Sequence, residues 1–197
     1  MARLFPELKR AAVLSMDLQA AIVGFYIKDD DSFLPRAAGV LERARASGMQ
    51  VVHVQVGFRP GLPEVSTRNQ LFGAIKTSAQ WQQIFQGSSG AIHHDVAPRG
   101  EEVVITKHRV SAFAGTDLEM VLRAQEIDTL VMQGIATSGV VLATLLQASD
   151  ADYRLFVIKD CCGDRDPDVH ACLVEKVFPR MATMLTAAEF EQALSGD

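Results

Sequence analysis

The stretch LVMQGIATSGVVLATLLQASDA, Leu130–Ala151, joins an apolar strand to a helix through a short turn bounded by glycines. The strand is continuously apolar, which is typical of a parallel strand buried on both faces. Apolar residues recur at helical spacing after the turn GIATSG. Many α/β enzymes place a nucleophile at the head of such a helix. Here Gly139, Val140 and Val141 occupy the first helical turn, and none of these side chains can act as a nucleophile.

The same alternation of strands and helices continues along the chain. It predicts a single α/β domain over 1–197, with three layers (α/β/α) around a central, mainly parallel, six-stranded, Rossmann-like sheet. The predicted strands besides that at 129–134 are 11–17, 49–58, 101–107, 153–160 and 182–186, and the predicted helices are 32–48, 115–127, 137–151, 167–178 and AAEFEQAL.

The segment 59–100 departs from this alternation. It is rich in Gly, Pro, Ser and Gln and contains Trp81, the only tryptophan of the chain. We predict an irregular insert, because long segments of this composition in compact domains are usually functional loops or oligomer contacts.

Composition excludes several classes of partner. The formal net charge is −5 and no basic run is present, so we expect no nucleic-acid surface. No apolar run approaches the roughly 20 residues that span a bilayer, and the N-terminal residues lack a cleavage signature, so we expect no membrane segment and no signal peptide. The three cysteines have no C-x-x-C spacing. An odd number of cysteines without this spacing indicates neither a disulfide framework nor a zinc site, and it favours a reducing, cytoplasmic location.

Three polar features fall at the carboxyl ends of predicted strands, where open parallel sheets bind ligands. Asp17 ends the first strand, Lys107 ends the strand EEVVITK, and the turn GIATSG ends TLVMQ. The unpaired N–H groups at a helix start favour an anion. Taken singly, each feature is also typical of an ordinary turn or a solvated strand end. The turn matches neither a G-x-G-x-x-G fingerprint nor a P-loop, so we expect no nucleotide cofactor.

Together these features resemble a known family. The segments SMDLQ (15–19), VVITKHRVSAFAGTDLEMVLR (103–123) and LVMQGIATSGVVLAT…DYRLFVIKDCC (130–162) are similar to the isochorismatase-like hydrolases, also called the cysteine hydrolase superfamily. The resemblance extends from about residue 11 to residue 190. It implies a hydrolase of small molecules that assembles as a dimer or higher homo-oligomer.

The resemblance also implies a catalytic triad of Asp, Lys and Cys. Asp17 and Lys107 match the first two members, and Val140 stands where G-[IV]-x-T-x-x-C-V has its cysteine. Ser138, Cys161 and Cys162 are the alternative nucleophiles, although Ser138 points elsewhere on the helix and is expected to cap it.

The remaining site residues also come from the resemblance. It places substrate or oxyanion contacts at the turn and at the strand-end D-x-Q, and it implies a cis peptide bond between Ile135 and Ala136. The expected contact residues are Gln19, Ile135, Ala136, Thr137, Ser138 and Gly139.

We expect no metal or other cofactor. The metal-binding members of the family carry a D-x-H element after the second strand, whereas His53 lies inside a strand here and reads as a core residue. His93 and His94 are adjacent, and on an extended chain they would point to opposite sides.

Two hypotheses follow. The first is a hydrolase of a small amide, ester or vinyl ether that works without a covalent step. Isochorismatase itself, with glycine in the cysteine's place, cleaves a vinyl ether when an Asp protonates the substrate and water attacks. This hypothesis predicts that Asp17 and Lys107 form a salt bridge in a partly apolar pocket. The second is a catalytically silent member used for binding or oligomeric assembly, in which Val140 fills the pocket.

Overall fold

A six-stranded, entirely parallel sheet forms the centre of the molecule, in the order β3-β2-β1-β4-β5-β6. The computed structural model describes Phe5 and residues 7–27, 30–85 and 90–195. The predicted three-layer fold is confirmed. The strands are β1 (Ala11–Met16), β2 (Gln50–Val56), β3 (Val103–Lys107), β4 (Thr129–Ile135), β5 (Arg154–Gly163) and β6 (Thr183–Leu185).

Helices cover both faces of the sheet. They are α1 (Ala20–Tyr26), α2 (Phe33–Ser47), α3 (Gln70–Thr77), α4 (Ala79–Ile84), α5 (Leu118–Ala124), α6 (Leu142–Asp150), α7 (Pro167–Cys172) and α8 (Ala187–Ser195). Alternate residues of β1 serve the two faces, since Leu14 packs with α5 and α6 while Val13 packs with α2 and α8. None of the described helices has the length and apolarity needed to cross a bilayer.

The prediction that 59–100 is irregular is wrong, because the segment contains α3 and α4. Each helix begins at a capping side chain: Asn69 accepts a hydrogen bond from the N–H of Phe72, and Ser78 accepts one from the N–H of Trp81. A separate hydrophobic cluster of Leu62, Val65, Phe72 and Ile75 holds the segment together. The turn-forming residues that suggested a loop thus separate and cap two short helices.

β1 and β4 approach so closely at their carboxyl ends that only glycine fits at position 134. Gly134 pairs with Met16 and has φ of 146°, a conformation that L side chains rarely adopt. A Cβ atom there would lie 2.1 Å from the carbonyl oxygen of Met16. The close contact fixes the turn after β4 beside Asp17, which follows Met16.

Replacement of this glycine is therefore expected to destabilise the fold. Gly134→Ala should lower the free energy of unfolding in urea by about 3 kcal/mol or more, because backbone strain adds to overpacking. The matched control is Gly39→Ala in α2, where a Cβ meets nothing within 4 Å. That control should leave stability unchanged or raise it by about 0.5–1 kcal/mol. Equal stability of the two variants would contradict the close-contact argument.

Glu102 anchors the start of β3, the strand that carries Lys107. Its carboxylate accepts hydrogen bonds from Arg45 (2.7 and 2.9 Å), from the N–H of Arg99 (2.9 Å) and from His53 (3.0 Å). Burial alone would raise the pKa of Glu102, but these donors outweigh it and lower the pKa to about 2. His53 is fully buried, as predicted for a core residue, and burial lowers its pKa.

The lowered pKa of Glu102 implies stability that is present above the ordinary glutamate pKa and is lost in acid. The free energy of unfolding should fall as pH drops from about 5 towards 2. Glu102→Gln should flatten this dependence, measured by urea unfolding at a series of pH values. Glu101→Gln, at the exposed neighbouring position, should keep the wild-type pH dependence. An unchanged slope in Glu102→Gln would show that other groups cause the acid sensitivity.

Candidate active site

Asp17 lies at the carboxyl end of β1, directly after the strand, with φ of 55°. Its side chain is buried, and its N–H donates to the carbonyl of Val54 in β2 (2.8 Å). The Oδ1 atom is inaccessible to solvent and has no hydrogen-bond partner among the described residues. Buried carboxylate oxygens are nearly always hydrogen-bonded, so an unpartnered one is typical of a functional position.

Lys107 provides the partner of the other carboxylate oxygen. Its Nζ atom lies 2.8 Å from Oδ2 of Asp17 and 3.1 Å from the carbonyl oxygen of Arg109. The predicted contact is present, although β3 is an edge strand separated from β1 by β2. The lysine side chain is long enough to extend past Val56, the last residue of β2, which pairs with Lys107.

Burial of this ion pair changes the chemistry of Asp17. The Asp17 and Lys107 side chains are only 8% and 3% exposed. Burial raises the pKa of the Asp17 carboxyl above its ordinary value, and the Lys107 ammonium offsets only part of this effect. Asp17 therefore keeps a proton to higher pH than an exposed aspartate, which suits a group that gives and takes protons.

The turn after β4 does not continue directly into a regular helix. Residues Thr137–Val141 form a π-helical turn, and Gly139 within it is non-helical. The peptide bond between Ile135 and Ala136 is cis, as the family resemblance implied. The N–H of Gly139 donates to the carbonyl of Ala136 (3.0 Å). The N–H of Gly139 is thus occupied by a hydrogen bond within the turn.

A cavity of about 300 Å³ lies above the ion pair. Among the predicted site residues, the ones that line it are Asp17, Lys107, Ile135, Ala136, Gly139 and Val140. Val140 is 2% exposed and forms part of the wall. The expectation that Val140 would fill the pocket is wrong, because its side chain leaves this volume open beside Asp17.

Most of the remaining wall comes from residues that sequence reasoning did not predict. They belong to α1, α3 and α4 or directly follow α4, and they include Phe25, Tyr26, Phe72, Trp81 and Phe85. Their sequence signal was weak, since a helical apolar face serves the core as readily as a ligand. α3 and α4, which both belong to the segment 59–100, form one side of the cavity.

Three predicted contact residues lie outside the cavity wall. The amide of Gln19 bonds to the backbone of Val56 and Gly90, so it ties β2 to the segment before β3. Thr137 is buried and shares a hydrogen bond with Nδ1 of His170 (2.8 Å). Ser138 is exposed, and its N–H donates to the Asp164 carboxylate (2.7 Å). These residues support the loops around the site.

Ser138 makes no side-chain cap, so that expectation is wrong. The turn begins at Ala136 instead, and the carboxylate of Asp164 accepts the N–H of Ser138 from another loop. The carboxylate of Asp164, which is distant in sequence, thus caps this turn, and the Ser138 side chain faces solvent.

The cysteines considered as replacement nucleophiles are buried in the core. Cys161 packs on the α2 side of the sheet and Cys162 on the α6 side, and neither lines the cavity. Burial raises the pKa of both thiols, that of Cys162 to about 12. A thiol that stays protonated is a poor nucleophile.

The expectation that His93 and His94 diverge is wrong. Their rings stack with centroids 4.3 Å apart, because a 3₁₀ turn begins at His94 and the chain is not extended there. With Asp95 they form the one group among the described residues whose ligand atoms are close enough to hold a metal ion. No member of this group lines the cavity.

Comparison with known proteins agrees with the fold and the motifs. Residues 11–189 match the isochorismatase domain. The maleamate amidohydrolase of Pseudomonas putida is 31% identical over 81% of this chain and 73% of its own length. An isochorismatase family protein of Burkholderia thailandensis superposes with a TM-score of 0.81 at 26% identity, over 95% of this chain and 96% of its own.

An N-carbamoylsarcosine amidase from Thermoplasma acidophilum superposes with a TM-score of 0.72 at 26% identity, over 91% of this chain and 98% of its own. The family model covers nearly the whole chain. The two solved structures have the same fold as this chain. The chain therefore belongs to the isochorismatase family.

Proposed function

We propose that this protein hydrolyses a small amide, ester or vinyl ether in the cavity above Asp17 and Lys107, with water as the nucleophile. The buried Asp17–Lys107 ion pair at the base of an open cavity carries the proposal. The amidohydrolase and amidase among its relatives support amides as the first substrates to test.

Asp17 is the proposed acid–base group. In amide or ester hydrolysis, Asp17 takes a proton from water while the water oxygen attacks the carbonyl carbon. The bond to the leaving nitrogen or oxygen then breaks, and the proton passes to the leaving group. In vinyl-ether cleavage, protonated Asp17 gives its proton to the vinyl carbon, and water adds to the resulting oxocarbenium carbon and returns a proton to Asp17. The hemiketal then breaks its C–O bond and releases an alcohol and a carbonyl compound. The raised pKa of Asp17 favours this acid role up to a higher pH.

Lys107 has a positioning role in this proposal. Its ammonium holds Oδ2 of Asp17, while Oδ1 has no hydrogen-bond partner among the residues that the structure describes. Val140 cannot serve as a nucleophile, because a valine side chain has no lone pair. The reaction is therefore proposed to be a direct attack by water.

A binding protein without catalytic activity is the second candidate. Val140 favours it, since the resemblance puts the nucleophile at that position. A homo-oligomeric state and a cytoplasmic location stay predictions from the sequence.

Asp17→Asn should abolish the activity if this proposal is right. A panel of neutral and charged amides, esters and vinyl ethers identifies a substrate, and kcat/KM should then fall at least about hundredfold in the variant. The control Asp150→Asn changes an exposed carboxylate and should keep wild-type activity. Activity that survives Asp17→Asn unchanged would remove Asp17 from the mechanism. No activity on any panel member would favour the binding protein.

Loss of activity must be separated from loss of fold. Asp17→Asn leaves Lys107 buried without a counter-ion, which typically costs about 3–5 kcal/mol of stability. The double variant Asp17→Asn/Lys107→Met removes both charges and should recover part of this loss in urea unfolding. It should remain inactive while folded.

Val140→Cys should introduce covalent chemistry at the head of the turn. The new thiol would line the open cavity that Asp17 and Lys107 also line, where reagent and substrate can reach it. We expect iodoacetamide to alkylate Cys at position 140 faster than Cys at position 141, and we expect the Val140→Cys variant to gain amidase activity. The control Val141→Cys places a thiol at the next position, which is buried and outside the cavity wall.

Peptide mass mapping separates this labelling from that of Cys172, which is exposed in the native protein. Equal alkylation at positions 140 and 141 would contradict the assignment of Val140 to the nucleophile's place.

A further inference from the structure

The wall of the cavity is almost entirely apolar above its base. Five aromatic side chains and a larger number of aliphatic ones line it. Among the residues that the structure describes, Asp17 and Lys107 are the only charged ones in the wall, and they neutralise each other at 2.8 Å. A ligand in this cavity therefore meets apolar side chains on most of its surface.

We propose that the substrate is an uncharged molecule carrying an aromatic or branched apolar group, and that the site discriminates against carboxylates. This substrate class rests on the proposed function, because it describes the same cavity. The hydrolysed bond lies at Asp17, and the apolar group lies between α1, α3 and α4.

A carboxylate ligand finds no free cation among the described residues of the wall. Nζ of Lys107 already contacts Asp17 and the carbonyl oxygen of Arg109, and ionised Asp17 repels a second anion. Moving a carboxylate from water into apolar surroundings without a paired cation is strongly unfavourable. A neutral amide of the same shape avoids this cost.

The mouth of the cavity favours an apolar ligand for a separate reason. The rings of Phe25 and Trp81 meet edge to face with centroids 5.9 Å apart, and they are 41% and 40% exposed. Leu71 beside them is 61% exposed. A ligand that covers these side chains removes apolar area from water, which is worth roughly 25 cal/mol per Å².

One cation lies close to this mouth. The guanidinium of Arg165 sits over the Phe25 ring, 4.6 Å from its centroid, and is not part of the cavity wall. An anion held by Arg165 at the rim is the competing interpretation. It predicts the opposite selectivity, so a binding experiment separates the two.

Trp81 provides a direct readout, since it is the only tryptophan of the chain and lines the cavity. Fluorescence titrations of the full chain should give a Kd for phenylacetamide at least about tenfold lower than that for phenylacetate, a carboxylate of the same shape. Equal or tighter binding of phenylacetate would overturn the proposal. If Arg165→Gln then abolished phenylacetate binding, the anion would be assigned to Arg165 at the rim.

A charge added to the rim should shift this selectivity. Leu71→Arg places a guanidinium at an exposed position of the wall, and it should tighten phenylacetate binding about tenfold relative to phenylacetamide. The control Met120→Arg adds the same charge at an exposed position of α5 and should leave both constants unchanged. An equal effect of both variants would show a general charge effect and overturn the proposed site.

The titration does not depend on turnover, so the two proposals can fail separately. Selective binding of phenylacetamide without hydrolysis of any panel substrate would overturn the hydrolase and leave the neutral-ligand cavity. Hydrolysis of a carboxylate-bearing substrate, together with weak phenylacetamide binding, would overturn the substrate class and leave the hydrolase.

Discussion

The ion pair between Asp17 and Lys107 is the interaction on which the site depends. It connects the end of β1 to the end of β3 across β2, with 2.8 Å between Nζ and Oδ2. Neither group is stable alone in this position, because an uncompensated buried charge costs several kcal/mol. Oδ1 of Asp17 has no hydrogen-bond partner in the described part of the chain. The pair thus fixes the geometry of the carboxylate in the wall of the cavity.

The close approach of β1 and β4 brings the turn to this pair. Gly134 lies against the carbonyl of Met16, and Asp17 follows Met16 directly. The π-helical turn then places Val140 in the cavity wall and directs Ser138 to solvent. This geometry is sufficient to present a side chain at position 140 to a ligand. The side chain at that position is valine, which cannot form a covalent intermediate, and this is why the proposed reaction uses water directly.

The contact between Asp17 and Lys107 agrees with the prediction from the sequence, and their catalytic role stays a prediction. Asp17 and Lys107 were found because parallel strands bring their carboxyl ends to one edge of the sheet. Gln19 and Thr137 were assigned to substrate by resemblance, whereas their polar atoms bond to Val56, Gly90 and His170. Such assignments depend on side-chain direction, which spacing along the chain does not determine. The stacking of His93 on His94 was missed for the same reason, since it depends on a local 3₁₀ turn.

The sequence by itself determined the class of fold, the family and the absence of a thiol at position 140. Those properties depend on hydrophobic periodicity and on motif residues, which are local along the chain. Only the tertiary structure decided that an open, apolar cavity exists. Its walls come largely from α1 and from the helices of the segment 59–100, which line one cavity with the ion pair only after the chain has folded. The volume beside Val140 is a property of packing between distant segments, and no single stretch of the sequence encodes it.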